Sequence, residues 1–240
     1  MRRRLWMSLL LLVPLLSLLA PVAADAATSA HAAPAAATRP VQASYGKGFI
    51  KAVQQRLAAL GYYPGAEDGN FGTNTLEAVW AFEEVQGLPR YSYITKAFTA
   101  RLQHPRGPKV LDSRAGKNRI EVHLTSGYLV LWQNNKVRLI SHISPGGGYY
   151  FCNPGGGCGY AITPTGNFKT IVYMPGWVTV PLGEMYNPVF FIGTSYAIHG
   201  DTDMPLGPVS HGCVRIPMDI AAFFHKLVKV PGEPVIVRNA

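Results

Sequence analysis

The chain has only 3 cysteines in 240 residues, and they do not fall in the paired Cys/His spacings of a structural zinc site. No metal is therefore expected, and nothing in the sequence calls for an organic cofactor. Acidic residues are scarce too: 13 Asp and Glu stand against 22 Lys and Arg, a formal net charge of +9. A chain this basic is drawn to anionic polymers by a force that salt screens. Its basic residues are scattered, without a cluster interleaved with aromatics, which argues against nucleic acid as the partner. Long apolar runs are missing, with one exception. Leu5 to Leu19 is apolar apart from Ser8, Pro14 and Ser17, and it is too short and too broken for a comfortable membrane span.

That run follows Arg2-Arg3-Arg4 and precedes the small residues Ala24-Asp25-Ala26. A basic start, an apolar middle and a small-residue end are the layout of a signal peptide, here residues 1–26. No cysteine follows the run, which rules out a lipid anchor on a processed cysteine. The expected protein is exported, to the cell wall or periplasm or beyond, without a stable membrane span after cleavage. Residues 27–47 are rich in Ala, Pro, Thr and Ser, with little bulky apolar content; such a segment reads as a disordered tether.

Residues 48–103 change character. Phe49, Val53, Leu57 and Leu60 recur at helical spacing, and Gly61 ends that helix. Leu76, Val79, Trp80 and Phe82 mark a second helix, with Thr75 near its start and Gly87 at its end. Ile94, Phe98 and Leu102 mark a third. Residues 104–117 hold prolines, glycines and basic residues and read as a linker. From 118 to 240 the pattern becomes strand-like. Ile120, Val122 and Leu124 alternate with polar residues, and Tyr128–Trp132 and Val137–Ile143 flank a hairpin turn at Asn134-Asn135. Further strands fit 166–173, 190–192, 196–199 and 234–238, and one late helix fits Pro217 to Lys229. The fold class is α+β: a small three-helix module before a β-rich, sandwich-like domain with one late helix.

Within that second domain stands Ser210-His211-Gly212-Cys213-Val214-Arg215, with Ile198-His199-Gly200 upstream. A thiol beside a glycine and among histidines is what nucleophilic acyl chemistry requires, because only the thiolate attacks and an imidazole can take its proton. Cys213 is the expected nucleophile. His211 lies two residues away, so in an extended loop both side chains point the same way; it shapes the site or contacts the substrate. The N–H groups of Gly212 and Cys213 are candidates for an oxyanion hole, where one donor is worth about 3–4 kcal/mol of barrier. Arg215 either binds a substrate carboxylate or buttresses the loop. His225 belongs to the late helix, and His123 and His142 have no motif around them.

Two resemblances add to this reading. Val53-Gln54-Gln55-Arg56-Leu57, Leu60-Gly61-Tyr62-Tyr63, Asp68-Gly69-Asn70-Phe71-Gly72, Thr75, Ala78-Val79, Phe82 and Gly87-Leu88 resemble the small peptidoglycan-binding domain of bacterial wall enzymes, with Tyr62, Tyr63, Asp68 and Phe71 among its marking residues. After Gly87-Leu88 this chain departs from the family: Pro89-Arg90-Tyr91-Ser92-Tyr93 replaces a second Asp-Gly turn. The His199 and Cys213 blocks, with Ile162-Thr163-Pro164-Thr165-Gly166 and Pro181 to Pro188, resemble the L,D-transpeptidases. That resemblance implies an acyl-enzyme at Cys213 with a peptidoglycan tetrapeptide stem, loss of D-Ala, and 3→3 cross-links. It also implies that His199 is the base and that the Gly200 carbonyl orients its ring. Water as acceptor would make the chain an L,D-carboxypeptidase or endopeptidase, and a decayed copy would only bind wall; the intact His199 and Cys213 favour an enzyme. A monomer is expected, with peptidoglycan as its partner.

Cys152 and Cys158 enclose Asn153-Pro154-Gly155-Gly156-Gly157. In an oxidising compartment these glycines let a short disulfide loop close, worth roughly 2–3 kcal/mol on a chain-entropy model. Cys213 is then the odd, free thiol.

Overall fold

A computed structural model describes residues 45–240. The expected leader, and the expected tether up to residue 44, lie outside the described residues. Three helices come first: α1 (Lys47–Ala59), α2 (Thr73–Gln86) and α3 (Lys96–Gln103). α1 buries Ile50, Val53 and Leu57, the helically spaced apolar set. α2 stops at Gly87, whose left-handed φ of 66° lets its N–H bond the last carbonyls. α3 opens on Thr95, whose hydroxyl accepts from the Phe98 N–H at 3.0 Å. Between α1 and α2 the buried Gln54 organises the turn: its Oε1 accepts from Gly69 N at 2.8 Å, and its Nε2 donates to Asn70 O at 2.9 Å and to Thr75 Oγ1 at 3.0 Å.

The β-rich part contains β1 (Arg119–His123), β2 (Tyr128–Gln133), β3 (Lys136–His142), β4 (Tyr150–Cys152), β5 (Cys158–Tyr160), β6 (Gly166–Lys169), β7 (Val172–Tyr173), β8 (Trp177–Val180), β9 (Gly183–Ile192), β10 (Tyr196–Asp201) and β11 (Val214–Pro217), then α4 (Met218–Leu227) and β12 (Pro234–Arg238). One sheet runs β3-β2-β1-β12-β6. The second runs β11-β10-β9-β7, with β8 also on β9, and β4-β5 is a separate hairpin. The β2–β3 turn is Asn134-Asn135, at φ 51° and 59°; asparagine tolerates this region, and such a turn matches strand twist. The hairpin β4–β5, β8 and β11 were not legible as strands, because short strands rich in glycine or facing a cleft lack a full alternating period.

Two apolar cores share the first sheet. Ile120, Val122, Leu129, Leu131, Val235 and Val237 face the second sheet and α4, meeting Val189, Phe191, Ile198, Val214, Ile216 and Phe224. The opposite face carries Tyr128, Val130, Trp132 and Ile140, and these pack with Leu57, Phe82 and Phe98 of the helices. The polar residues that alternate with Ile120 and Val122 along β1, Glu121 and His123, are themselves fully buried, because the helices and the 104–117 segment cover that face. Glu121 is satisfied there by Arg119 Nε at 2.7 Å, Trp132 Nε1 at 2.9 Å, Leu111 N at 3.0 Å and Asp112 N at 3.2 Å. Four donors make burial of a carboxylate tolerable, and two of them strap the expected linker to the sheet.

Of the module residues marked by sequence, Tyr62, Tyr63 and Phe71 are taken up by this packing, while Asp68 stays exposed. Tyr62 is buried, meets Phe82 edge-on at 5.7 Å and bridges to Ile140 of β3. Tyr63 packs on Phe223 of α4 at 5.1 Å. Phe71 lies against the helical core. Asp68 accepts from Asn70 N at 2.8 Å within its own turn. Asn74 of α2 hydrogen-bonds Asp219 of α4. Among the described residues no helix is long and apolar enough to cross a membrane.

Burial leaves titratable groups in both directions. It lifts Glu83 to about 8 and Glu77 to about 7, and it pushes His123 down to about 4. A folded state that holds carboxyl protons more tightly than the unfolded chain loses stability as pH rises from the ordinary value of 4.5 through the folded value, at up to about 1.4 kcal/mol per pH unit and group. His123 acts at the other end, costing stability as pH falls below 6.5. Stability is therefore expected to fall between about pH 6.5, above which His123 no longer opposes the carboxyls, and about pH 8, and Glu83→Gln is expected to flatten that decline in thermal melts (about one proton's worth of slope). Identical slopes for the two proteins would show Glu83 to be ionised in the folded state.

Candidate active site

β10 and β11 are parallel neighbours, with Ile198 opposite Val214 and His199 opposite Arg215. Side chains alternate across a sheet, so Ile198 and Val214 enter the core while His199, Asp201 and Arg215 share the other face. Cys213 precedes β11 by one residue and keeps that phase. It packs on an apolar floor of Met185, Phe190 and Ala197. Cys213, His199, His211, Ser210 and Arg215 all line one open cleft of about 560 Å³. Its walls are Met174, Val178 and Val180 on one side and Phe151 of the β4–β5 hairpin on another.

His199 is buried, and its Nδ1 lies 2.9 Å from the Gly200 carbonyl. A carbonyl only accepts, so Nδ1 carries the proton and Nε2 is left with a free lone pair. Burial depresses the imidazole's pKa below its ordinary value, and burial raises that of the Cys213 thiol. Both shifts favour a neutral thiol beside a neutral imidazole at rest. The thiol's hydrogen bond in this state runs to the Ser195 carbonyl at 3.7 Å.

The loop that carries Cys213 is tightly held. Ser210 Oγ donates to the Cys213 carbonyl at 2.6 Å and accepts from Gly212 N at 3.0 Å. The Gly212 N–H, expected as an oxyanion donor, is thus committed to Ser210, and the Cys213 N–H is the remaining candidate. Thr163, buried, donates to the Gly212 carbonyl at 2.8 Å. Gly212 has φ +139°, and a Cβ there would come within 2.7 Å of Tyr196 and 2.9 Å of the Ile162 carbonyl, so only glycine fits. Gly200 is fixed by close approach, since an added Cβ would lie 2.7 Å from Ala221 on α4.

Of the two open roles for Arg215, its contacts favour the buttress. Its Nε reaches Asp201 at 3.0 Å and its Nη1 reaches Asp203 at 3.4 Å. His211 meets Phe151 edge-on at 4.8 Å and Tyr149 at 5.5 Å, so the hairpin and the loop cradle the cleft between them. Cys152 and Cys158 are cross-strand partners in that hairpin and form a disulfide, leaving Cys213 free. Among the described residues no group of three His, Cys, Asp or Glu side chains is placed to hold a metal. Sequence reasoning missed Thr163 as a clamp, Asp201 as the arginine's partner, and His142, which is buried against Glu84 at 2.8 Å. Thr163 stood inside a quoted motif; His142 carried no sequence signal at all.

The class is set by a β-rich domain that brings a thiol and an imidazole into one cleft and is preceded by a helical module. Residues 117–237 match the family model of the YkuD L,D-transpeptidase catalytic domain, and residues 47–90 match that of a putative peptidoglycan binding domain. The chain belongs to the L,D-transpeptidase family. A crystal structure of an L,D-transpeptidase (residues 123–326) from Xylanimonas cellulosilytica is 30% identical, with a TM-score of 0.74, over 79% of this chain and 93% of that one. An L,D-transpeptidase from Stackebrandtia nassauensis is 20% identical over 79% of this chain and 90% of that one, with a TM-score of 0.47. One from Mycobacterium smegmatis is 20% identical over 51% and 58%, with a TM-score of 0.41. The last two are too distant to support any further inference. No curated protein matches the chain.

Two outcomes follow from this geometry. Ser210→Ala strips the partner from a buried N–H and is expected to cost about 1–3 kcal/mol of unfolding free energy in denaturant melts; a cost near zero would mean the clamp is idle. With a thiol pKa above its ordinary 9.0, consumption of Cys213 by iodoacetamide should still be accelerating at pH 9. A plateau between pH 6 and 8 would instead reveal a thiolate–imidazolium pair.

Proposed function

We propose that this chain is an exported cysteine L,D-transpeptidase acting on peptidoglycan. The observation that carries the reading is the shared phase of β10 and β11, which turns His199 and Cys213 into one cleft while the Gly200 carbonyl fixes the imidazole tautomer. The thiol attacks the carbonyl joining the third, L-centred residue of a tetrapeptide stem to its terminal D-Ala. Because both groups rest neutral, His199 Nε2 takes the thiol proton as the carbon–sulfur bond forms. The oxyanion develops beside the Cys213 N–H. Collapse breaks the peptide bond, His199 returns the proton to the departing D-Ala amine, and a thioester remains. A side-chain amine of a neighbouring stem then attacks the thioester; its proton passes to His199, the 3→3 amide forms, and the thiol is regenerated.

The Arg215–Asp201–Asp203 group holds β11 and its preceding loop in register with β10. The helical module supplies the affinity for wall that brings donor and acceptor stems together. Export agrees with the disulfide between Cys152 and Cys158, since such bonds persist in oxidising compartments. The hairpin it closes bears Phe151, which lines the cleft.

Incubation with a disaccharide tetrapeptide, read by mass spectrometry, tests the reading. The expected products are an acyl-enzyme on Cys213, free D-Ala and a cross-linked dimer. Cys213→Ala should abolish all three, Cys152→Ala with Cys158→Ala should retain the adduct, and His199→Gln should slow acylation by about 10²–10⁴. A tripeptide with no dimer would assign water as the acceptor. Absence of any adduct in the native protein would overturn the enzyme reading.

A further inference from the structure

One buried polar cluster has no part in the mechanism above, yet it connects the helical module to the nucleophile loop. Glu84, on α2, is buried. Its Oε1 lies 2.8 Å from His142 Nδ1 and accepts from Arg90 Nη1 at 3.0 Å. Each partner then reaches the segment that leads into Ser210. His142 Nε2 meets the Pro205 carbonyl at 3.0 Å, and Arg90 Nη1 donates to the Leu206 carbonyl at 2.5 Å. Two residues beyond His142, Ser144 continues the seam: its Oγ donates to the Gly207 carbonyl at 2.8 Å and accepts from Val209 N at 3.2 Å. The Ser144 backbone exchanges both hydrogen bonds with Arg215 at 3.1 Å, and the Ser210 N–H donates to the Pro145 carbonyl at 3.0 Å. Ser210 is the residue that clamps Gly212 and Cys213.

Arg90 stands in the segment where this chain departs from the peptidoglycan-binding pattern. That segment is itself tied to α2, with Tyr91 N donating to Glu83 Oε2 at 2.9 Å and Trp80 Nε1 donating to the Tyr91 carbonyl at 3.1 Å. A buried carboxyl oxygen that accepts from two donors, each of which also reaches one loop, is a fixed point. Loops otherwise settle the position of their side chains poorly, and a misplacement of about 1 Å can cost a hundredfold in rate.

We propose that Glu84, acting through His142 and Arg90, is a positioning residue for Cys213, so that the helical module forms part of the catalytic apparatus as well as its anchor. This rests on the transpeptidase reading of the same cleft. Glu84→Gln keeps the size of the side chain and an Oε1 that still accepts from both partners, but an amide oxygen holds His142 and Arg90 only about half as strongly as a carboxylate does. The test uses the full chain and measures acylation by the tetrapeptide per Cys213 thiol titratable by iodoacetamide, so that only folded, reactive sites are counted. The expected result for Glu84→Gln is a fall in kcat of about ten- to a hundredfold with KM changed by less than about threefold. Arg90→Met, at a side chain 37% exposed, keeps the test decisive if Glu84→Gln does not fold, and it should lower kcat in the same sense. Glu84→Gln combined with Arg90→Met should lose no more than Glu84→Gln alone, as members of one relay do.

Phe98→Leu is the control for mere destabilisation: it loosens the helical core without touching the relay, and its rate per thiol should stay native. Native kcat in Glu84→Gln and Arg90→Met, or an equal loss in Phe98→Leu, would overturn the proposal. If the native protein forms no acyl-enzyme, the transpeptidase reading fails first; if it does and the variants match it, the positioning role alone fails.

Discussion

The structure depends on one sheet being buried on both faces. Val130, Trp132 and Ile140 cannot face water, because the residues alternating with them, Leu129 and Leu131 among them, already face the second sheet. The three helices are the cover that this second apolar face requires. Burying each large apolar side chain is worth about 1.5–3 kcal/mol, so the attachment is strong without any covalent constraint. The same burial explains why Glu121 must gather four donors. It also explains why Tyr62 and Tyr63, in a module of wall-binding type, face the enzyme's own strands and helix.

A second constraint acts at the cleft. As the proposed nucleophile, Cys213 must be accessible yet immobile, and these needs conflict on a loop. Here immobility comes from hydrogen bonds to backbone atoms on every side of Cys213: Ser210 below, Thr163 behind Gly212, and the Ser144–Arg215 pairing beyond. The apolar floor of Met185 and Phe190 disfavours the thiolate. In the proposed reaction activation then falls to the His199 imidazole, whose pKa burial lowers. The chemistry proposed for the pair follows from that shared lack of charge at rest.

Much of this was readable from residue order, and the limits have physical causes. The helices were legible because Val53, Leu57 and Phe82 recur with the period of one buried stripe. The late helix was legible because Pro217 and Asp219 open it. β11 was not, because a four-residue strand after a glycine offers too short a period. The burial of Glu121 and His123 was not legible, since nothing local to them announces that helices elsewhere in the chain will cover them. The Gly212 N–H was expected to be free, and its commitment to Ser210 needs the loop's curvature to be known. His142 and Glu84 are ordinary residues in sequence, 58 positions apart, and only their meeting gives them meaning.

Local patterns therefore determined the class of fold, the helical module, the thiol–imidazole blocks and the pairing of Cys152 with Cys158. These properties are written in periods, caps and short spacings, which depend on neighbours along the chain. Tertiary structure alone decided what each polar group pairs with. Arg215 settles on Asp201, Thr163 on Gly212, and Glu84 on the approach to Ser210. A buried hydrogen bond joins whichever donor and acceptor folding brings together, and its partners need have no fixed spacing in the sequence.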